Sequence, residues 1–341
     1  MDKLIKGGRV IDPSQGIDKI LDILIEKGKI KAIEENIRKD DVEIIDATGK
    51  IVTPGLIDIH VHFREPGFEA KEDIKTGSMS AAAGGFTSVA CMPNTNPAVD
   101  SKSIVEFIIE RAEKVGLTNV YPIGAISKGL EGEELSEIGD MKYSGIVGIS
   151  DDGNPVMNSN LMRRALEYSS MFDLPVISHC EDIPMSNEGV INEGLTSTIL
   201  GLKGIPPAAE EIMVERDIRI AEFTGGKLHI AHVSTKGSVE LVRQAKSKGI
   251  NVTAEATPHH FTLTDEATKT FDTNTKVNPP LRTAEDVEAI RQGLKDGTID
   301  AIVTDHAPHA IEDKDVEYDY ADFGISGLET SLPLVITKLV E

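Results

Sequence analysis

Cysteine is nearly absent: Cys91 and Cys180 are the two in a chain of 341 residues, and they stand far apart. A disulfide framework needs several regularly spaced cysteines. Their scarcity excludes a stapled secreted domain and suits a reducing cytosol, the expected location. No apolar run approaches the ~20 residues of a membrane span. Residues 1–8 carry no apolar core followed by a small-residue cleavage site, so no secretory signal is expected there. Positive charge is in deficit: 35 Lys and Arg face 57 Asp and Glu, a formal net charge of −22. Phosphate-backbone binding requires a basic footprint, so nucleic acid is excluded as an expected partner. The acidity reads as a solvated surface that aids solubility. Against this field, a small anionic substrate would need an Arg or a metal placed in a cleft. Internal repeats and low-complexity segments are lacking too.

The length accommodates one large α/β domain and a small appendage. Residues 1–52 alternate apolar and polar residues in "KLIKGGRVI", "KILDILIEKGKIKAIEENI" and "VEIIDATGKIV", with Gly and Asp-Pro at the turns. This pattern predicts a small β module with a hairpin at Gly28. From residue 53 to 341 the pattern changes to short apolar runs separated by amphipathic stretches. The runs are 55–60, 86–92, 119–125, 145–149, 174–178, 227–232, 250–256 and 299–304. Helices are expected between them, as in "SKSIVEFIIERAEKVG" and "TKGSVELVRQAKSKG", the second capped by Ser234 or Thr235 and stopped at Gly249. Eight buried strands alternating with helices predict a TIM-type (β/α)₈ barrel. A doubly wound sheet would carry a Gly-rich phosphate loop after its first strand, and none follows. "AAAGGF" (81–86) precedes a strand and reads as a helix stop. The acidic stretch 311–324 is expected to be a long loop, either a cover over the site or a disordered connection.

In such a barrel the chemistry sits at the C-terminal strand ends. The first run ends in "HVHFR" (His60, His62, Arg64), the fourth in "SDDG" (Asp151, Asp152), and the fifth in "SHCED" (His179). The sixth ends in "AHVS" (His232) and the eighth in "TDHAPH" (Asp305, His306, His309). His-x-His on a strand puts both imidazoles on one face. Imidazole and carboxylate suit zinc or a similar first-row ion. Four His and two Asp exceed the needs of one tetrahedral ion and fit two ions sharing a carboxylate. Asp151 and Asp152 diverge on a strand, so one of them bridges, and spacing alone does not choose. Other histidines have plainer readings. His229, inside the sixth strand, is expected to pack. His259 and His260 are expected to support the site or pack. His306 is expected to orient neighbours.

"DIHVHFREPG" (58–67), "EDIKTGSMSAAAGGFTSVACMPNT" (72–95), "ISDDG", "SHCED", "HVST", "ATPHH", "NPPLR" and "TDHAPH" resemble, densely and in order, the dihydroorotases of the amidohydrolase superfamily. The similarity is to the long bacterial type in which an aspartate bridges two metals. It implies reversible hydrolysis of (S)-dihydroorotate to N-carbamoyl-L-aspartate, in de novo pyrimidine (UMP) biosynthesis. It implies two zinc ions per chain. His60, His62 and Asp152 would hold one, with Asp305 close by, and Asp152, His179 and His232 the other. Asp305 would be the general base and acid. Arg64 and Asn94 would hold the substrate carboxylate with His309 nearby, and Asn278 and the backbone at Phe323 and Gly324 would complete the pocket. No lysine stands where lysine-bridged relatives have one, and the family pattern favours Asp152 as the bridge. Family members normally continue past Glu341 and add strands to the N-terminal module, so those strands are expected to be missing from this sequence. A homodimer or a complex with aspartate carbamoyltransferase is compatible with the resemblance. Two rivals stand beside it: a hydantoinase or allantoinase on the same scaffold, and an inactive dihydroorotase-like partner of aspartate carbamoyltransferase.

Overall fold

The computed structural model describes residues 2–340. Two compact units meet between Leu56 and Ile57. In the first, β1 (Lys3–Asp12), β2 (Ile17–Glu26), β3 (Lys29–Glu34), β4 (Glu43–Asp46) and β5 (Ile51–Val52) form one sheet. Its order is β3-β2-β1-β4, with β5 also on β1. β1, β2 and β3 make an antiparallel meander, and β4 and β5 run parallel to β1. Leu4, Val10, Ile23 and Leu24 are buried in this unit.

The second unit is α/β. Its strands are β6 (Leu56–Val61), β7 (Phe86–Cys91), β8 (Asn119–Pro122), β9 (Gly124–Ala125), β10 (Ile149–Ser150), β11 (Val176–Ser178), β12 (Ile191–Asn192), β13 (Gly204–Ile205), β14 (Leu228–Ile230), β15 (Val252–Ala256) and β16 (Ala301–Ile302). They form a sheet β6-β7-β8, a sheet β9-β10-β11-β14-β15-β16 and a small pair β12-β13. β7 runs parallel to β8, and every pair from β9 to β16 is parallel. β8 and β9 are one stretch of chain interrupted at Ile123, whose N–H donates to Cys91 O while Gly124 N–H donates to Gly148 O. At the other margin a parallel bridge joins Val61 to His306, and His62 N–H donates to His306 O at 2.8 Å. Asp58 reinforces that junction. It accepts from Thr304 Oγ1 at 2.5 Å and from His60 N–H at 3.1 Å. Burial pushes its carboxyl up to about 7, against the bonds from Thr304 and His60.

Each of the eight runs expected after residue 53 contains or borders a strand. The fourth strand begins late, because the helix Ile138–Ser144 ends at Gly145 and the chain needs Gly145–Gly148 to leave it. The two expected helices occur as Lys102–Val115 and Lys236–Ser247; Thr235 caps the second, accepting from Ser238 N–H. "AAAGGF" ends the helix Ile74–Ala83, as a helix stop should. The acidic stretch 311–324 is ordered, which removes the disordered-connection alternative. It starts with the short helix Ile311–Lys314 and buries Tyr318 against Val190 and Ile191. Lysines hold its backbone: Lys314 Nζ donates to Asp322 O and Lys276 Nζ to Asp319 O.

Ile59, Ala90, Met92, Ile123, Ile177 and Ala231 pack into one apolar cluster drawn from five strand segments. Ile59, Ile177 and Ala231 precede His60, His179 and His232 by one or two positions, so this cluster seats the histidines. Beside it the helix Ile74–Ala83 approaches through Gly77, where a Cβ would lie 2.5 Å from the ring of fully buried Phe63. Gly77→Val should therefore displace Phe63, which lies between His62 and Arg64 in the chain. Overpacking of this kind costs about 1–3 kcal/mol. The urea midpoint should fall accordingly, and an unchanged midpoint would show that Phe63 is not tightly held.

Candidate metal centre and substrate pocket

The strand ends bring His60, His62, Asp152, His179, His232 and Asp305 into one buried group. Asp152 is at its centre, and its two oxygens face different partners. Oδ2 lies 3.6 Å from His60 Nε2 and 3.4 Å from His62 Nε2. Oδ1 lies 3.6 Å from His179 Nδ1 and 3.3 Å from His232 Nε2. Asp305 Oδ1 closes the first half at 3.1 Å from His62 Nε2 and 3.5 Å from His60 Nε2. His179 Nδ1 and His232 Nε2 are 2.9 Å apart in the second half. Asp151 turns away, accepting from the N–H groups of Ile126 and Ser127 and from Ser127 Oγ. Burial pushes its carboxyl up to about 6, against those bonds.

The outward ring nitrogens are held as well. His60 Nδ1–H donates to Glu255 Oε1 at 2.5 Å, and Glu255 Oε2 lies 2.9 Å from His229 Nε2. His62 Nδ1–H donates to Asn94 Oδ1 at 2.8 Å. His179 Nε2 lies 3.2 Å from Glu181 Oε2, which also accepts from Asn278 Nδ2 at 2.9 Å. Such partners fix the tautomer and aim the opposite nitrogen inward. Glu255 and Glu181 were not picked out from the sequence. The available signals were a carboxylate inside the apolar strand run "INVTAEA" and a second acid in "SHCED". His229 reaches the group only through Glu255. His306 bonds Glu72 and the N–H of Gly327, neighbours of the kind it was expected to orient, and buried His260 bonds Thr257 and Pro279 O. Arg282 of "NPPLR" is buried and ties Asn192, Ile205 O and Ser234 together.

The group fits a cation. His60 Nε2 and Asp152 Oδ1 are buried with no hydrogen-bond partner, a costly condition that a metal would relieve. Burial opposes ionisation of Asp152 and Asp305, yet the facing imidazoles hold both carboxyls below their ordinary range. The site thus favours anionic oxygens beside concentrated positive charge. His60, His62 and Asp305 are close enough to share one ion, and so are His60, Asp152 and His232. Arg64, His232 and Asp305 have φ of 62°, 32° and 48°, left-handed values for non-glycine residues. Strain of this sort gathers where surrounding structure dictates side-chain direction.

A cavity of about 190 Å³ opens onto the group, lined by His62, Arg64, Asn94, Asp152, Gly153, His179, Asn278, Asp305, Ala307, Phe323 and Gly324. Five of the six expected substrate residues line it. His309 stands behind the wall, with Nε2 2.8 Å from Phe323 O and 3.3 Å from Arg64 Nη2. Burial, then Arg64 and Lys71, push its pKa down to about 4. Gly324 has φ of 132°, and a Cβ there would lie 2.6 Å from Ala307 O, so the wall needs glycine. Arg64 Nε donates to Pro308 O. Its sequence neighbour Glu65 is engaged elsewhere, by Arg111 at 3.0 Å and by Ile74 N–H. Among the described residues no carboxylate pairs with Arg64 within 4.0 Å. A larger surface hollow of about 530 Å³ lies at the start of β8, at the opposite strand end, and contains none of these residues.

Comparison with known proteins bears on the family and the fold. Residues 49–238 match the family described as "Dihydro-orotase-like". The chain is 62% identical to the dihydroorotase of Acetivibrio thermocellus over 99% of its own length and 79% of that protein's. It is 61% identical to the dihydroorotase of Geobacter sp. (strain M21) over 100% of its length and 80% of the relative's. Among solved structures, the L-hydantoinase (dihydropyrimidinase) from Arthrobacter aurescens superposes with a TM-score of 0.86 at 27% identity, over 98% of this chain and 76% of that one. A D-hydantoinase at 22% identity and a TM-score of 0.82, over 98% of this chain and 76% of that one, shares the fold. By the family match and by similarities that span this chain, it belongs to the dihydroorotase-like family.

Proposed function

We propose that this chain is a zinc-dependent dihydroorotase, interconverting (S)-dihydroorotate and N-carbamoyl-L-aspartate in pyrimidine synthesis. The observation that carries the reading is Arg64. Its guanidinium lines the same small cavity as the Asp152 group and, among the described residues, has no carboxylate partner within 4.0 Å. A cation placed beside a cation-binding group is tolerated when an anion joins them, and the ring carboxylate of dihydroorotate supplies one. The planar fork of Arg suits that carboxylate. Asn94 and Asn278 offer amides, and Phe323 and Gly324 offer backbone to the ring. Hydantoin and allantoin carry no such carboxylate. An inactive partner of aspartate carbamoyltransferase would be expected to have lost ligands, and all six are present and converge.

His60, His62, Asp152 and Asp305 would hold one zinc, and Asp152, His179 and His232 the other. Tetrahedral zinc at ~2.0–2.1 Å from each ligand puts ligand atoms roughly 3.3 Å apart. The 2.9–3.6 Å spacings within each half support that reading. Bound there, the ions supply Lewis acidity toward the ring carbonyl and lower the pKa of water toward ~7. Asp305, ionised at neutral pH, accepts the proton of the attacking water as the new C–O bond forms. It returns that proton to the ring nitrogen as the C–N bond breaks. Ring closure runs the same transfers backwards. The junction of Val61 with His306 supports closure of the strand order β6-β7-β8/β9-β10-β11-β14-β15-β16 into a (β/α)₈ barrel. Buried free thiols at Cys91 and Cys180 suit a cytosolic location, and no helix among the described residues is long and apolar enough to cross a membrane.

Three measurements test this reading. Elemental analysis should find two zinc per chain in the purified protein and near-complete loss in Asp152→Ala. Asp151→Ala should keep its metal while losing about 1–3 kcal/mol of stability, the cost of orphaned donors. The opposite assignment would place the bridge one residue earlier. For Asp305→Asn, kcat should drop ~10²–10⁴-fold with KM little changed; a preserved kcat would reassign Asp305 to binding. Arg64→Met should weaken dihydroorotate strongly, by about 2–5 kcal/mol, and dihydrouracil far less. A wild type that opens dihydrouracil or hydantoin as readily as dihydroorotate would transfer the reading to the hydantoinases.

A further inference from the structure

His309, Asp313 and Asp322 place one nitrogen and two carboxylate oxygens within 4.8 Å of one another, a spacing that would suit a cation. A side chain already fills that position. Lys71, on the loop between β6 and the helix Ile74–Ala83, puts its Nζ 2.6 Å from Asp322 Oδ2 and 3.4 Å from Asp313 Oδ2. The same ammonium lies 3.2 Å from His309 Nδ1. It therefore joins three points on the segment that supplies Phe323 and Gly324 to the cavity wall. None of these contacts is needed to form the β-sheets, and none involves the Asp152 group.

The hydrogen bonding at His309 follows from the ammonium. Nε2 lies 2.8 Å from Phe323 O, and a carbonyl oxygen accepts only, so Nε2 carries the proton. Nδ1 is then a bare lone pair. Asp322 Oδ2 sits 3.1 Å from it, a contact between two acceptors unless a donor serves both. Lys71 is that donor: an ammonium has three N–H bonds and no lone pair. Removing it leaves a nitrogen lone pair against a carboxylate and two carboxylates facing one another. The imidazole would relieve this by taking a second proton or turning away, and either change alters its bond to Phe323 O and its contact with Arg64.

We propose that Lys71 is a positioning residue for substrate binding: its ammonium clasps Asp313 and Asp322 of the 311–324 segment to His309, and so holds the Phe323–Gly324 wall and Arg64 against the carboxylate end of the substrate. This rests on the reading of the cavity as a dihydroorotate site and assigns the clasp to a residue outside it. Among the described residues Lys71 Nζ bonds none of the cavity lining, so its effect should appear in binding and leave the chemistry at Asp305 in place.

The test uses the metal-loaded full chain. Lys71→Met should raise KM for dihydroorotate at least tenfold while kcat stays within about threefold. Lys71→Arg, which restores a cation, should recover part of the loss. Asp322→Asn should reproduce the KM increase more weakly, and the double variant should be no worse than Lys71→Met alone, since partners in one contact are not additive. Cleavage by a glutamate-specific protease at Glu312 and Glu317 should accelerate in Lys71→Met with no substrate present. If Lys71→Met fails to fold, Asp322→Asn with the protease readout carries the test, because the Asp322 side chain is about half exposed. An unchanged KM in both single variants overturns the clasp, as does a fall in kcat at constant KM, or additive losses in the double variant. Turnover of dihydroorotate by the wild type tests the parent reading separately. A working wild type beside a Lys71→Met enzyme that binds normally would sink the clasp alone.

Discussion

A carboxylate sealed from solvent survives as an anion only where positive charge or hydrogen-bond donors surround it, and Asp152 meets that constraint with four imidazoles. Its Oδ2 faces the two histidines of the first strand end, and its Oδ1 faces one histidine from each of two later strand ends. Each oxygen serves a separate half of the site. The division requires the ends of β6, β10, β11 and β14 to sit within a few ångströms of one another, and the parallel sheet exists in the form that brings them there. The apolar cluster of Ile59, Ala90, Met92, Ile123, Ile177 and Ala231 packs β6, β11 and β14 together next to three of those ends.

Around this centre a set of buried carboxylates acts on the histidines from outside. Glu255 fixes His60, Glu181 fixes His179, and Asn94 does the same for His62 with an amide. Burial raises the cost of each charge, and the facing imidazoles offset it, holding Glu255 and Glu181 at about 2. The imidazoles are thereby oriented before any ligand arrives. Glu181 also bonds Asn278, which links the partner of His179 to a residue of the cavity lining. Asp58 acts on the backbone instead. Its carboxyl, raised to about 7 and bonded to Thr304, joins the first strand to the end of the last.

A second charged group lines the same cavity. Arg64 follows His62 by two residues and adopts a left-handed φ that turns it into the cavity. Its neighbour Glu65 is occupied by Arg111 and the start of a helix, so the guanidinium is left for a ligand. The hydantoinase structures share the fold with TM-scores up to 0.86, which means the scaffold does not distinguish the ring opened. What varies on such a scaffold is the cavity lining; here Arg64 and the Phe323–Gly324 wall supply it, beside an acidic 311–324 segment bonded by lysines.

Much of this was legible in the sequence, for a definite reason. Strands have a period of two and active residues gather at strand ends, so "HVHFR", "SDDG", "SHCED", "AHVS" and "TDHAPH" announced both the α/β alternation and the metal-binding group. Two adjacent aspartates, however, look alike in one dimension. Only the packing of Asp151 against the backbone of Ile126 and Ser127 decided that Asp152 faces inward. In the same way a charged run such as 311–324 reads equally as a cover or as a disordered connection. Its order comes from Lys71, Lys276 and Lys314, and Lys71 stands far from that run in the chain. Glu255 looked like one acid in an apolar run because its partners, His60 and His229, reach it from neighbouring strands. Local chemistry and periodicity are written along the chain; which side chain meets which distant partner is settled by burial and charge pairing, and those act only once the chain has folded.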